Sequence, residues 1–185
     1  MKTEILVITD RSGSMSSIRE DANGGFDNFI KEQKEVPGEA RVSMVMFDDK
    51  VETFYSAKPL SEVPPLNLLP RGSTALLDAI GQTLNVHGKR IKDEGWAELV
   101  IVIIITDGGE NASKEYTQAQ IKTMIQHAES TGWKFVFLAA NQDAFSVGAG
   151  YGISAVHTQN FAATSKGTQQ AYASASASTR TLRSA

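Results

Sequence analysis

Short apolar runs alternate along the chain with segments whose apolar residues recur at helical spacing. Residues 4–9, 41–47, 99–106 and 134–139 are short, rich in β-branched or aromatic side chains and bounded by turn residues, which predicts strands. Residues 5–8 and 99–105 are apolar at every position. Lack of alternation is the pattern of strands covered on both faces, as in a parallel sheet. Residues 51–55 follow Asp48-Asp49-Lys50 closely enough to pair back as a hairpin, so one antiparallel edge strand is expected.

Between these runs the period changes. In residues 116–129, Ile121, Met124, Ile125 and Ala128 form one helical stripe, and Leu77, Ile80 and Leu84 form another in residues 75–87. Ile18, Ala22, Phe26, Phe29 and Ile30 mark a first helix despite the cost of Gly24-Gly25. The alternation predicts a doubly wound α/β fold with a mostly parallel central sheet of about six strands and helices on both faces. Residues 63–72, with Pro64, Pro65 and Pro70, read as a long irregular connection of the kind that serves a site. Residues 1–160 are expected to form the main domain. Residues 161–185 read as an Ala/Ser-rich helix or tail packed on it, with Ala171, Ala175 and Leu182 on one helix face.

Composition narrows the function classes. The 185 residues include no cysteine, which excludes disulfides, thiolate metal sites and cysteine nucleophiles. Eighteen basic against 21 acidic residues leave a net charge of −3, so no nucleic-acid partner is expected. The longest apolar run is far too short to cross a bilayer, and no membrane association is expected. Asp10 cuts off the first apolar stretch before it could act as a secretory signal, and the expected compartment is a reducing cytoplasm.

The candidate chemistry lies at strand ends. Directly after the first strand, Asp10, Ser12 and Ser14 place a carboxylate and two hydroxyls at alternate positions of a turning loop. All are hard oxygen donors, suited to Mg²⁺ or Mn²⁺. Asp107 follows the strand 99–106 in the same way, with a turn at Gly108-Gly109. Ligands of open α/β sheets sit beyond the carboxyl ends of strands where the strand order reverses. If these two strands flank that point, Asp10 faces Asp107 across the crevice. Thr74 of Gly72-Ser73-Thr74, opening the helix 75–87, can then add a third hydroxyl.

These residues resemble a known family. DRSGSM, GST before a helix and TDG after an apolar strand are similar to the von Willebrand factor A (integrin I-like) domain, and the stretches NGGFDNFIKEQK, MFDDKVE, RGSTALLDAIG and ITDGGENAS resemble its small stand-alone bacterial or phage form. The family's metal-ion-dependent adhesion site, Asp-x-Ser-x-Ser with a distant Thr and Asp, is matched by Asp10, Ser12, Ser14, Thr74 and Asp107. The resemblance implies a divalent cation bound directly by the hydroxyls, and directly or through water by the aspartates. It also implies an open position that takes an Asp or Glu carboxylate from a protein partner. With two aspartates the Mg²⁺ site is formally neutral, so one more carboxylate is acceptable.

Other polar residues have plainer readings. Asn111 or Ser113 is expected to cap the following helix, with Glu110 at the rim of the site. Arg11 and Arg71 are read as solvated loop charges, Asp48 and Asp49 as hairpin-turn residues, and Asp143, after Asn141-Gln142, as a helix cap. Trp96 and Trp133 sit at strand entries and are expected to pack at the opposite end. His87, His127 and His157 have no metal-triad spacing, and the first two are expected to face solvent. Residues 89–92 are a basic run largely cancelled by Asp93-Glu94 and read as a solvated helix end.

A binding module is therefore expected, not an enzyme. The enzyme alternative is a Mg²⁺-dependent phosphohydrolase of the haloacid dehalogenase type. It would need a general acid two residues after Asp10, where Ser12 stands. A structural alternative is self-assembly, in which one copy's acidic side chain reaches another copy's metal.

Overall fold

The computed structural model describes residues 1–107, 109–140, 143–154 and 157–185. The strands are β1 (Lys2–Asp10), β2 (Glu39–Phe47), β3 (Val51–Pro59), β4 (Leu99–Thr106), β5 (Lys134–Ala140) and β6 (Thr158–Phe161). The helices are α1 (Arg19–Lys34), α2 (Leu76–Glu94), α3 (Gln118–Ser130), α4 (Ala144–Gly150) and α5 (Ser165–Arg183). The strands form one sheet in the order β3-β2-β1-β4-β5-β6. Only the β2–β3 pair is antiparallel, so the expected doubly wound α/β architecture and its antiparallel edge are present.

The uninterrupted apolar strands follow from burial on both faces. Ile5 and Val7 join Met44, Ile103 and Ile105 in a core covered by Phe26 and Phe29 of α1 and by Ala171 and Ala175 of α5. Leu6 and Ile8 point the other way, with Phe47 and Ile104, against Ile80 of α2 and Ile121 and Ile125 of α3. Successive strand residues thus feed opposite layers. Leu182 packs against the first of these cores, so the Ala/Ser-rich tail is an ordered helix lying on α1 and the sheet.

Several expectations need correction. Helix α2 runs to Glu94, well past residue 87, and ends where Gly95 takes a left-handed φ of 58°. The basic run is therefore its last turns, and it is not simply solvated. Arg90 and Arg41 both donate to Glu4, a fully buried carboxylate on β1, at 2.5 and 2.9 Å. Arg41 also stacks over Trp96, 3.9 Å from the ring centroid. His87 does not face solvent. It is buried between α2 and β3, with Nε2 3.3 Å from Thr53 Oγ1, and burial lowers its pKa. His127 is exposed as expected.

The strand order places β1 beside β4, with β2 continuing to one side and β5 to the other. The order reverses between β1 and β4, so Asp10 and Asp107 stand at the switch point.

Candidate metal centre

Asp10 is the last residue of β1 and is fully buried. Its Oδ1 accepts the Ser12 N–H at 2.7 Å, and its Oδ2 accepts the Thr106 hydroxyl at 2.7 Å from β4. It also accepts from the Asp107 backbone. These bonds fix both oxygens of the carboxylate. The chain then turns, and Ser12 Oγ lies 3.1 Å from Ser14 Oγ. Ser14 Oγ in turn donates to Asp107 Oδ1 at 2.8 Å. Asp10, Ser12, Ser14 and Asp107 are thereby gathered at one point of the sheet edge.

Thr74 arrives through backbone contacts. Its loop is stapled to the Asp10 turn by bonds from Gly13 N–H to the Gly72 carbonyl, 3.0 Å, and from Arg71 N–H to the Arg11 carbonyl, 2.8 Å. Gly72 has a φ of 67°, and a Cβ there would lie 2.6 Å from Asp49 Oδ1, so only glycine fits the turn. Thr74 itself is buried. Its N–H donates to Asn111 Oδ1 at 2.9 Å, and its carbonyl accepts the Asn111 N–H at 3.0 Å.

Asn111 and Ser113 therefore do not cap the helix that follows them. They serve the preceding one. Helix α2 has no side-chain cap of its own at Ala75. Its first N–H groups are instead taken by Glu110 at Leu77 and by Ser113 at Asp78. Asp78 reciprocates, accepting the N–H groups of Lys114, Glu115 and Tyr116 at 2.9–3.0 Å. Helix α3 is capped by Thr117 in a reciprocal box with Gln120. Asp143 caps α4 as expected. Gly108, Asn141 and Gln142 lie outside the described residues.

The loop cations are also bound up more tightly than a sequence reading suggests. Arg11 is buried, with Nε 3.0 Å from Asp48 Oδ2 and Nη1 3.2 Å from Glu52. Arg71 reaches the same Asp48 oxygen at 2.8 Å, although its side chain is largely exposed. Asp48 Oδ1 accepts the Lys50 N–H, as a hairpin-turn residue does, and Asp49 accepts the Ser73 N–H. The hairpin tip is thus the buttress of the Thr74 loop. The missed signal was the chemistry of Asp48, a carboxylate beside an apolar strand that needs cationic partners.

The electrostatics suit a cation. Burial pushes the Asp10 carboxyl above the usual range, against the hydrogen bonds from Ser12, Thr106 and the Asp107 backbone. Burial does the same to Asp107, and the neighbouring Asp10 charge adds to it while the Ser14 bond opposes it. Two buried carboxylates set side by side repel, and a divalent ion between them would remove that cost. Among the described residues no group of three or more His, Asp and Glu side chains forms a metal cluster. The donor set at this centre is two carboxylates with neutral hydroxyls, all oxygen, which fits a hard cation.

No family model matches the sequence, and no curated protein matches it. The fold does have solved neighbours. Proximal thread matrix protein 1 from the mussel byssus, in a structure with a zinc-occupied MIDAS motif, superposes with a TM-score of 0.66 at 14% identity, over 96% of this chain and 46% of that one. A von Willebrand factor type A protein from Catenulispora acidiphila gives 0.65 at 14% identity, covering 95% and 42%. The vWF domain of the type V pili tip protein Mfa5 from Porphyromonas gingivalis gives 0.63 at 10% identity, covering 96% and 94%. The chain spans less than half the length of the first two proteins and nearly all of the third. It has the von Willebrand factor A fold.

Proposed function

We propose that the chain is a metal-dependent protein-binding module. Asp10, Ser12, Ser14, Thr74 and Asp107 would hold a divalent cation, whose open position would suit a carboxylate oxygen from an Asp or Glu of a protein partner. The observation that carries this reading is the continuous line of oxygens from Ser12 through Ser14 to Asp107, beside a carboxylate whose two oxygens are already oriented. When bound, the cation supplies a Lewis-acidic position. The chain's own groups do the rest: Thr106 and the Ser12 N–H orient Asp10, and Asn111 sets the position of Thr74.

Mg²⁺ or Mn²⁺ suits the all-oxygen donor set best. The zinc-occupied motif of the mussel protein supports divalent-ion binding in this fold. The hydroxyl ligands are neutral and add no negative charge to that of the two aspartates, which leaves the site able to accept one anionic ligand from the partner. A binding role is favoured over phosphoryl hydrolysis because Ser12 stands where the hydrolase would need a general acid. No described helix is long and apolar enough to cross a membrane. The absence of cysteine suits a reducing cytoplasm.

The test is thermal unfolding in chelator, then in millimolar Mg²⁺ or Mn²⁺. The wild-type melting point rises with metal and rises further with an Asp-containing peptide, while Asp10→Ala responds to neither. No response in the wild type under either condition overturns the reading. Mass measurement with and without chelator tells a foreign acidic donor from a second copy of this chain.

A further inference from the structure

A cleft of about 740 Å³ lies between α2 and α3, on the helical layer that holds Ile80 and Ile121 and away from the metal centre. Its volume is within the range of small-molecule sites. Leu84, Ile91, Met124 and Trp133 supply an apolar lining, and Met124 and Trp133 remain partly exposed. Gly88 keeps it open: a Cβ there would touch only the Trp133 ring, at 3.6 Å, so the space is not needed for helix packing.

The ionisable residues of the lining are all basic. Lys89, Lys92 and His127 contribute to it, and among the described residues no carboxylate does. Lys89 is paired with Asp93, which lies outside the lining. Lys92 is exposed and makes no ion pair among the described residues. An apolar trough with a basic-only rim, in a chain of net charge −3, is complementary to an anionic amphiphile.

A protein partner fits this surface less well. A standard interface takes about 800 Å² from each side. Among the described residues, Val86 is the one strongly exposed large apolar side chain on α2 or α3. We infer that the α2–α3 cleft binds a small carboxylate-bearing amphiphile, with the apolar body against Trp133 and Met124 and the carboxylate at Lys92. The site does not depend on the metal centre.

Isothermal titration of the full chain with decanoate, in chelator, tests this. Saturable one-to-one binding is expected, unchanged in Asp10→Ala, which separates it from any carboxylate binding at the metal. Shortening the chain to octanoate weakens binding by about threefold to fourfold for each methylene removed. Lys92→Gln weakens it by about tenfold, as loss of a charged hydrogen bond does. Gly88→Leu abolishes it while the melting point stays the same or rises, since leucine is the better helix former. Decanol and decyltrimethylammonium bind at least about tenfold more weakly than decanoate for want of an anionic head. Absence of saturable decanoate binding, equal affinity for the three head groups, or undiminished binding by a folded Gly88→Leu overturns the proposal. So does a change of mass in light scattering between wild type and Gly88→Leu, which would mean that a second copy covers the cleft.

Discussion

The Ser14 hydroxyl donates to Asp107 Oδ1 at 2.8 Å, although 93 residues separate the two. The bond exists because β1 and β4 are parallel neighbours, so the turns after Asp10 and Thr106 open at the same sheet edge. It also holds a carboxylate beside Asp10 that the fold alone does not favour, since burial and the Asp10 charge both raise its pKa.

That cost makes Asp107→Asn informative. An acid whose folded-state pKa is raised favours the fold at low pH and opposes it once pH rises through the folded value. At neutral pH in chelator, Asp107→Asn should therefore be as stable as the wild type or more stable. Its amide oxygen can still accept from Ser14. In Mg²⁺ the order reverses, because binding to the native state stabilises the wild type by about 2.7 kcal/mol at a hundredfold excess over Kd. Chemical denaturation of both proteins in both buffers checks the crossing; a variant less stable in chelator counts against two competing carboxylates.

Asp48 gives the opposite pH signature. Its burial raises the pKa, but the Arg71 hydrogen bond, the Lys50 N–H and the Arg11 and Arg71 charges outweigh it, so the carboxyl sits below the usual range. Stability from a depressed acid is present above the unfolded pKa and lost as pH falls through the folded one. Asp48→Asn removes the buried anion of the Arg11 guanidinium, leaving it only the half-exposed Glu52, and should cost about 3 kcal/mol at neutral pH. The gap should stay constant down to the ordinary carboxylate value of 3.8 and close only below it. A gap that closes between pH 7 and 5 would point to another group.

Much of this architecture is legible in the chain. The non-alternating runs 5–8 and 99–105 announce buried parallel strands, and Asp10 and Asp107 stand out because each directly follows one. The missing parts have physical reasons. Strand β6 is four residues, Thr158–Phe161, with a single large apolar side chain, too short for any period to show. Helix α4 is seven residues rich in glycine and alanine. Arg11, Arg90 and His87 look solvated in sequence because nothing local reveals their partners. Those partners, Asp48, Glu4 and Thr53, lie on other elements. Asn111 and Ser113 differ from expectation for the same reason: their partners, the Thr74 backbone and the Asp78 N–H at the start of α2, lie before them in the chain.

The Glu4 cluster separates stability from binding. Glu4 is fully buried and accepts from Arg41, Arg90 and Ser43. Glu4→Ala removes the anion and leaves two partly buried guanidinium groups with fewer partners. A loss of about 3 kcal/mol is expected in urea unfolding. The cluster lies at the start of β1 and the metal centre at its end. The Mg²⁺-induced rise in melting point should therefore be the same as in the wild type, and a lost response would show that the two ends of the strand are coupled.

Asp78 should behave in the other way. It carries no metal-ligand role here, yet its two oxygens accept three consecutive backbone N–H groups, those of Lys114, Glu115 and Tyr116. The same loop sends Asn111 to Thr74 and Glu110 and Ser113 to the first turn of α2. Asp78→Ala leaves those donors without their acceptor at a cost of about 2 kcal/mol. It also loosens the segment that sets Thr74. Mg²⁺ affinity should fall although every donor residue is intact, whereas Asp78→Asn, which keeps an acceptor oxygen, should recover part of the loss. Magnesium titrations followed by calorimetry on the two variants decide it. Equal affinity in wild type and Asp78→Ala, with the stability loss present, would mean that the Thr74 loop is held in place by its backbone bonds to the Asp10 turn, Gly13 to Gly72 and Arg71 to Arg11.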